Sequence, residues 1–128
     1  MSDNYLLDTD VLVSYLRGHV QTVGLIKSLA RTGATFSISV VAVVEIEAGI
    51  RAGEKPKTRE LLDTMEILVL DASTATLAGS FLRENRSKGI TLSLADAMIA
   101  ATAVTKGLVL LTYNQRHYPM PEIKLHKL

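Results

Sequence analysis

Asp8 and Asp10 close the run Tyr5-Leu-Leu-Asp8-Thr-Asp10-Val-Leu-Val13, and carboxylates where a strand gives way to a helix have two uses. They can cap the helix and favour its positive N-terminus, or they can hold a cation at the open edge of a sheet. Both readings stand for this pair taken alone. Glu45 has less of a local explanation. Its helical neighbours Val41, Ala42, Ala48 and Gly49 are apolar or small, whereas Glu47 has Arg51 four residues on in the favourable orientation. A carboxylate on such a face draws its compensation from elsewhere in the chain, unless the face is simply exposed. Asp96 stands three residues after Ser93, the spacing of a capping box, and its neighbours Leu92, Ile99 and Ala100 again include no cation.

Asp8, Glu45 and Asp96, gathered without a lysine or arginine, would repel one another and force at least one to stay protonated at neutral pH. A divalent cation removes the conflict. All-oxygen ligation suits Mg2+ or Mn2+, and the three histidines show no pair at zinc-ligand spacing. An ion so held polarises a phosphodiester and activates water, the chemistry of metal-dependent nucleases, and two ions would lie ~3.5–4 Å apart. Late in the chain, Thr112-Tyr-Asn114-Gln-Arg116-His117-Tyr118 forms a polar cluster. Thr112 and Asn114 offer neutral groups, and Arg116 and His117 suit a phosphate. The same cluster also reads as an exposed asparagine-containing turn.

The elements that must position these residues follow from periodicity. A strand from Tyr5 leads into a helix that Thr9 caps, with Val11, Leu12, Tyr15 and Leu16 repeating until Arg17-Gly18. The spacing predicts helices over Gln21–Arg31, Val40–Ala52 (capped by Ser39) and Thr58–Met65, with a polar turn at 53–57. Short strands are expected at Phe36–Ser39 and Ile67–Leu70. A helix opened by Ser73 presents Leu77, Phe81, Leu82 and Asn85, and an alanine-rich helix runs from Ser93 to Lys106. Leu108–Leu111 reads as a fully buried parallel strand, and Ile123–Leu125 as an edge strand. Strands separated by helices predict an α/β fold: a single domain spanning residues 1–128, with a central parallel sheet and helices on both faces. In that arrangement Asp8 and Asp96 reach the same sheet edge. Glu45 lies about 9 Å along its helix from Ser39, at ~1.5 Å per residue, so that helix must lean over the edge.

The chain has 128 residues, which fits one domain with a substantial core. Cysteine is absent and no basic start precedes a long apolar stretch, so the expectation is a cytoplasmic protein without disulfides. Glu45 and Glu47 interrupt the most apolar region, which argues against a membrane role. Fourteen Lys plus Arg against thirteen Asp plus Glu gives +1, which neither requires nor excludes a polyanionic partner. Hydrophobic residues at 48% and a mean hydropathy of +0.24 leave apolar surface for a partner or a second copy to cover.

Four stretches in order resemble a PIN domain, specifically the VapC-type toxins of prokaryotic toxin–antitoxin pairs. They are Leu6-Leu-Asp8-Thr-Asp10-Val-Leu, Ser39 through Glu45 to Gly49, Leu94-Ala-Asp96-Ala-Met-Ile-Ala-Ala-Thr-Ala103, and Leu111-Thr-Tyr-Asn114-Gln-Arg-His-Tyr118. The resemblance implies a Mg2+-dependent ribonuclease acting on structured RNA, often tRNA. It also implies a dimer, inhibited by a cognate VapB-type antitoxin. By position, Asp8, Glu45 and Asp96 would be the metal-binding acids and Asp10 an auxiliary group. A fourth carboxylate is frequent in the family near the last strand, where this chain has Asn114 and His117. Thr112 and Asn114 are therefore assigned to holding water or orienting Asp8. Arg83, Arg86, Lys88, Arg116 and His117 are candidates to track RNA phosphates.

Two other readings share these residues. Leu7-Asp8-Thr-Asp10-Val-Leu also resembles the first motif of haloacid-dehalogenase-type phosphatases, with Asp8 as nucleophile. That chemistry needs a later lysine and acidic pair, and leaves Glu45 unexplained. A non-catalytic ion-binding regulatory module would offer Asp71 as its modified residue, although Asp71 reads better as a helix cap before Ser73.

Overall fold

The computed structural model describes residues 3–126, so both ends of the expected 1–128 span lie outside the described residues. The chain runs β1 (Asn4–Leu7), α1 (Thr9–Leu16), α2 (Val20–Arg31), β2 (Thr35–Ser39), α3 (Val40–Gly49) and α4 (Lys55–Thr64). It continues through β3 (Glu66–Leu68), α5 (Ala72–Ser87), α6 (Leu94–Lys106), β4 (Val109–Leu111), a 3-10 turn at Gln115–His117 and β5 (Lys124–Leu125). All strand pairs are parallel, in the order β3-β2-β1-β4-β5.

Side chains alternate across a strand, and the two cores follow from that. Tyr5, Leu7, Ile38 and Leu111 join Val11, Leu12, Ala42, Ile46 and Leu62 on the α1–α4 face. Leu6 and Leu110 point the other way, against Ala78 and Phe81 of α5 and the alanines of α6. Small residues let α6 approach closely: Ala97, Ala100, Ala101 and Ala103 are fully buried. Phe81 fills the space beside them and, at 1% exposure, is worth about 3–5 kcal/mol against alanine. Gly107 ends α6 at φ +66, a conformation that disfavours any side chain.

From β1 the chain winds outward to β2 and β3, then crosses to β4 and β5 on the other side. The order therefore reverses between β1 and β4. A crevice opens at the carboxyl ends of strands where such a reversal occurs. β1 ends immediately before Asp8, and β4 immediately before Thr112. The Asp8 amide donates to the Leu111 carbonyl at 2.9 Å, which locks the two ends together.

Several boundaries differ from the sequence expectation, each for a local reason. Asp8, rather than Thr9, is the N-cap of α1, its side chain accepting from the Thr9 amide. α3 stops at Gly49, so Arg51 falls outside the helix and Glu47 instead faces Arg59 at 3.6 Å, an exposed pair worth little. α4 starts at Lys55 rather than Thr58 because Pro56 sits in its first turn, where its missing N–H costs nothing. β3 is pulled back to Glu66–Leu68, and α5 is capped by Asp71, whose carboxylate accepts from the Thr74 amide at 2.9 Å. Those bonds hold the Asp71 carboxyl below the usual range, and fit a structural rather than regulatory residue. Among the described residues no helix is long and apolar enough to cross a membrane.

Candidate active site

At the β1–β4 crevice, Asp8, Asp10, Glu45 and Asp96 line one open cleft of about 580 Å³, together with Thr9, Ser93, Asn114 and His117. No lysine or arginine lines it among the described residues. The sequence expectation that three distant acids meet is met at the level of the cleft. They do not yet surround a single point: among the described residues no three acid or histidine groups stand close enough to hold an ion together.

Asp8 is 6% exposed and saturated with donors. Its Oδ1 accepts from the Thr9 amide at 2.8 Å, and its Oδ2 from Thr112 Oγ1 at 2.7 Å and Tyr118 OH at 2.9 Å. Three donors fix the carboxylate in one orientation. Thr112, itself buried, thus orients Asp8 as expected, and its Oγ1 accepts from the Asn114 amide at 3.0 Å. The Asn114 side chain does something else. Its Nδ2 donates to Asp10 Oδ2 at 3.0 Å, beside the Tyr113 amide at 3.1 Å.

Glu45 reaches the cleft because Thr9 comes to it. The Thr9 hydroxyl donates to Glu45 Oε1 at 2.6 Å, tying the first turn of α1 to α3 and leaving Oε2 free. Asp96 sits in the first turn of α6, where Ser93 Oγ accepts from its amide at 3.0 Å. The capping interaction and the site role coexist. Asp96 Oδ2 lies 3.3 Å from His117 Nδ1, and its Oδ1 3.3 Å from Tyr118 OH.

Tyr118 belongs to this site and was not among the residues singled out from sequence. The ring is 3% exposed, and its hydroxyl stands between Asp8 and Asp96. Burial, then the charges of those two carboxylates, pushes its own ionisation far up, so it remains a donor. One proton serves two carboxylates, and the shorter contact to Asp8 takes most of it. The signal was present as an aromatic with a polar tip at the end of a polar cluster, just before Pro119. Of the expected RNA-contacting residues, only His117 lines the cleft. Arg83, Arg86 and Lys88 are exposed near the end of α5, and Arg116 is exposed in the 3-10 turn.

Mutual repulsion is written most clearly on Asp10. Burial first, then the Asp8 charge, pushes its carboxyl from 3.8 up to about 6, against the pull of the Tyr113 and Val11 amides and His117. A raised carboxyl stabilises the fold below its unfolded value, and that contribution is lost as pH climbs through its folded value. The metal-free chain is therefore expected to lose stability between about pH 4 and 7, by about 2 kcal/mol once partial exposure is allowed for. Denaturant midpoints measured with chelator across that window test this. Asp10→Asn should flatten the fall, and an identical fall in both proteins would contradict the assignment.

The donor chemistry fits a hard divalent cation: four carboxylates and an amide, with no lysine or arginine in the cleft among the described residues and the imidazole of His117 beside Asp96. Asp8, Glu45 and Asp96 are the carboxylates that would hold it.

Comparison with known proteins gives a consistent picture. The family model described as PIN domain matches residues 5–123. Ribonuclease VapC10 of Mycobacterium tuberculosis is 36% identical over 117 residues, 91% of this chain and 87% of that protein. Ribonuclease VapC19 of the same organism is 30% identical over 115 residues, 90% and 92% of the two chains. Among solved structures, VapBC2 from Rickettsia felis bound to a DNA fragment from its promoter superposes with a TM-score of 0.85. It is 23% identical and covers 96% of this chain and 97% of that one, a likeness of fold.

Proposed function

The chain belongs to the PIN domain family, and from that premise we propose that it is a VapC-type endoribonuclease, the toxin of a toxin–antitoxin pair. The observation that carries this reading is the cleft itself: four carboxylates from α1, α3, α6 and the end of β1, unopposed by lysine or arginine among the described residues. RNA hydrolysis needs its anionic scissile phosphate to enter such a cleft, and carboxylates alone would repel it. A divalent cation, Mg2+ or Mn2+, supplies the missing charge and a Lewis acid that activates water.

The chain's own groups do the rest. Asp8, fixed by Thr9, Thr112 and Tyr118, is the rigid anionic floor, and Asp96 and Glu45 are the flanking acids. Tyr118 sets the gap between Asp8 and Asp96. Asn114 and the Tyr113 amide hold Asp10 in place beside Asp8. His117, exposed beside Asp96, can contact a phosphate.

The substrate on this reading is structured RNA such as tRNA, met in the cytoplasm, and the regulating partner is a VapB-type antitoxin. The solved VapBC assembly of the same fold supports that partner. Exposed Val44 and Leu94, at 66% and 62%, sit on α3 and α6, the helices that carry Glu45 and Asp96, and suit a covered surface in a homodimer or toxin–antitoxin complex. A phosphatase reading finds no lysine in the cleft among the described residues.

The test is to purify the chain free of any co-expressed partner, cut RNA with Mg2+, and sequence the ends. Cleavage at defined positions is expected, absent with chelator and absent in Asp96→Asn. Equal cleavage by Asp96→Asn would refute the reading, because trace nucleases would then account for it.

A further inference from the structure

The acidic cleft is not isolated. Glu45 and Val13 also line a narrow neck of about 40 Å³, walled by Leu16, Ile46, Gly49 and Ile50. Arg17, Glu54 and Thr58 at the far end of that neck line a third, wide depression of about 540 Å³, where Arg51 and Lys57 join them. These shared walls make one groove, leading from the acids along α1 to a basic pocket at the start of α4. From Asp10 to Arg17 is about 10 Å of helix at ~1.5 Å per residue.

The basic pocket is built rather than incidental. Arg17 Nε donates to Glu54 Oε2 at 3.0 Å, and Glu54 Oε1 accepts from the Arg51 amide at 2.8 Å. Glu54 thereby draws Arg17 and the Arg51 backbone together, and the Arg17 hydrogen bond holds its own carboxyl below the usual range. Three cations against one carboxylate leave two positive charges facing the depression.

We propose that this groove carries the sugar–phosphate backbone of a single-stranded RNA segment, with the bond to be cut over the acids and a neighbouring phosphate seated on Arg17, Arg51 and Lys57. The proposal rests on the ribonuclease reading and gives the substrate strand its direction. The size of the neck limits what can enter it. At about 40 Å³ it has room for only a few waters, at ~10–15 Å³ each, so neither a base nor the apolar anchor of a docking helix fits. A strand can lie across it with the riboses over Val13 and Ile46 and the bases outward. The charge order matches as well, because a polyanion repelled from the carboxylates needs a cationic hold nearby that does not enter the reaction.

The experiment measures binding apart from cleavage. Anisotropy of a labelled oligouridylate is followed on full-length Asp96→Asn protein with Mg2+, with and without Arg51→Ala and Lys57→Ala together. Affinity is expected to fall about tenfold at low salt. The slope of log affinity against log salt should shrink by about 0.7, the value for one phosphate contact on a single strand. A dinucleotide, too short to reach the basic pocket, should bind equally to both proteins. Charge-preserving Arg51→Lys should keep affinity and slope, which separates loss of charge from loss of fold. In the otherwise unaltered enzyme the double substitution should raise KM and leave kcat. Unchanged RNA affinity and slope would overturn the proposal while leaving the nuclease reading intact. So would a loss confined to an acidic peptide or antitoxin, with RNA binding unaltered. Failure of cleavage by the unsubstituted chain, with the salt-dependent loss still seen, would instead remove the nuclease reading alone.

Discussion

Asp8→Asn is expected to lower RNA cleavage by about a thousandfold or more while leaving the chain folded. The substitution keeps the shape and one oxygen, but removes the charge on which a cation depends, and interactions of this kind are worth several kcal/mol to a phosphoryl transition state. The fold pays less. Thr112 and Tyr118 both donate to Oδ2, so the amide oxygen keeps that place and the amide nitrogen meets the Thr9 N–H, leaving one donor unmatched, a loss of about 1–3 kcal/mol. Relief at Asp10 offsets part of it, because the Asp8 charge is the second cause of that carboxyl's rise. A cleavage assay beside a thermal melt reads both quantities. A folded Asp8→Asn protein that cuts RNA within tenfold of the original would remove Asp8 from the reaction.

Tyr118→Phe is the second large effect. It deletes one oxygen from a buried ring and frees Asp8 and Asp96 from their shared donor. Groups that orient metal-binding carboxylates typically matter by 10–100-fold in ion affinity or turnover. We expect a loss in that range in kcat and in Mn2+ affinity by calorimetry, with KM for RNA nearly unchanged. Stability should change by only about 1 kcal/mol, the usual net value of one hydrogen bond. Equal Mn2+ affinity in the two proteins would make Tyr118 a packing residue only.

Glu45 and Asp96 were legible in the sequence because neither has a local cation, and Asp8 and Asp10 because they stand where a strand gives way to a helix. The fold class was legible from strands alternating with helices, and the non-alternating Leu108–Leu111 stretch announced a strand that begins one residue later, at Val109, and is fully buried only at Leu110 and Leu111. Local pairing rules misled where a helix ended early. Glu47 and Arg51 fit the spacing of a helical pair, but α3 stops at Gly49 and Arg51 turns instead toward Glu54. Glu45 looked too far from the edge because distance along its own helix ignores what the facing helix brings, and the Thr9 hydroxyl closes the gap. Asn114 lines the cleft, but its partner is Asp10 rather than Asp8, a choice set by the loop path after Thr112. Tyr118 was invisible for a different reason. Nothing in its own sequence neighbourhood shows that two carboxylates, one 110 residues away and one 22, will come to rest against its hydroxyl.

That a doubly charged ion joins Asp8, Glu45 and Asp96 is tested most directly by titrating Mn2+ into the partner-free chain in a calorimeter, alongside Asp8→Asn, Glu45→Gln and Asp96→Asn. Saturable binding in the original, severely weakened in each of the three, is the predicted result. Binding of equal strength in all four proteins would contradict it.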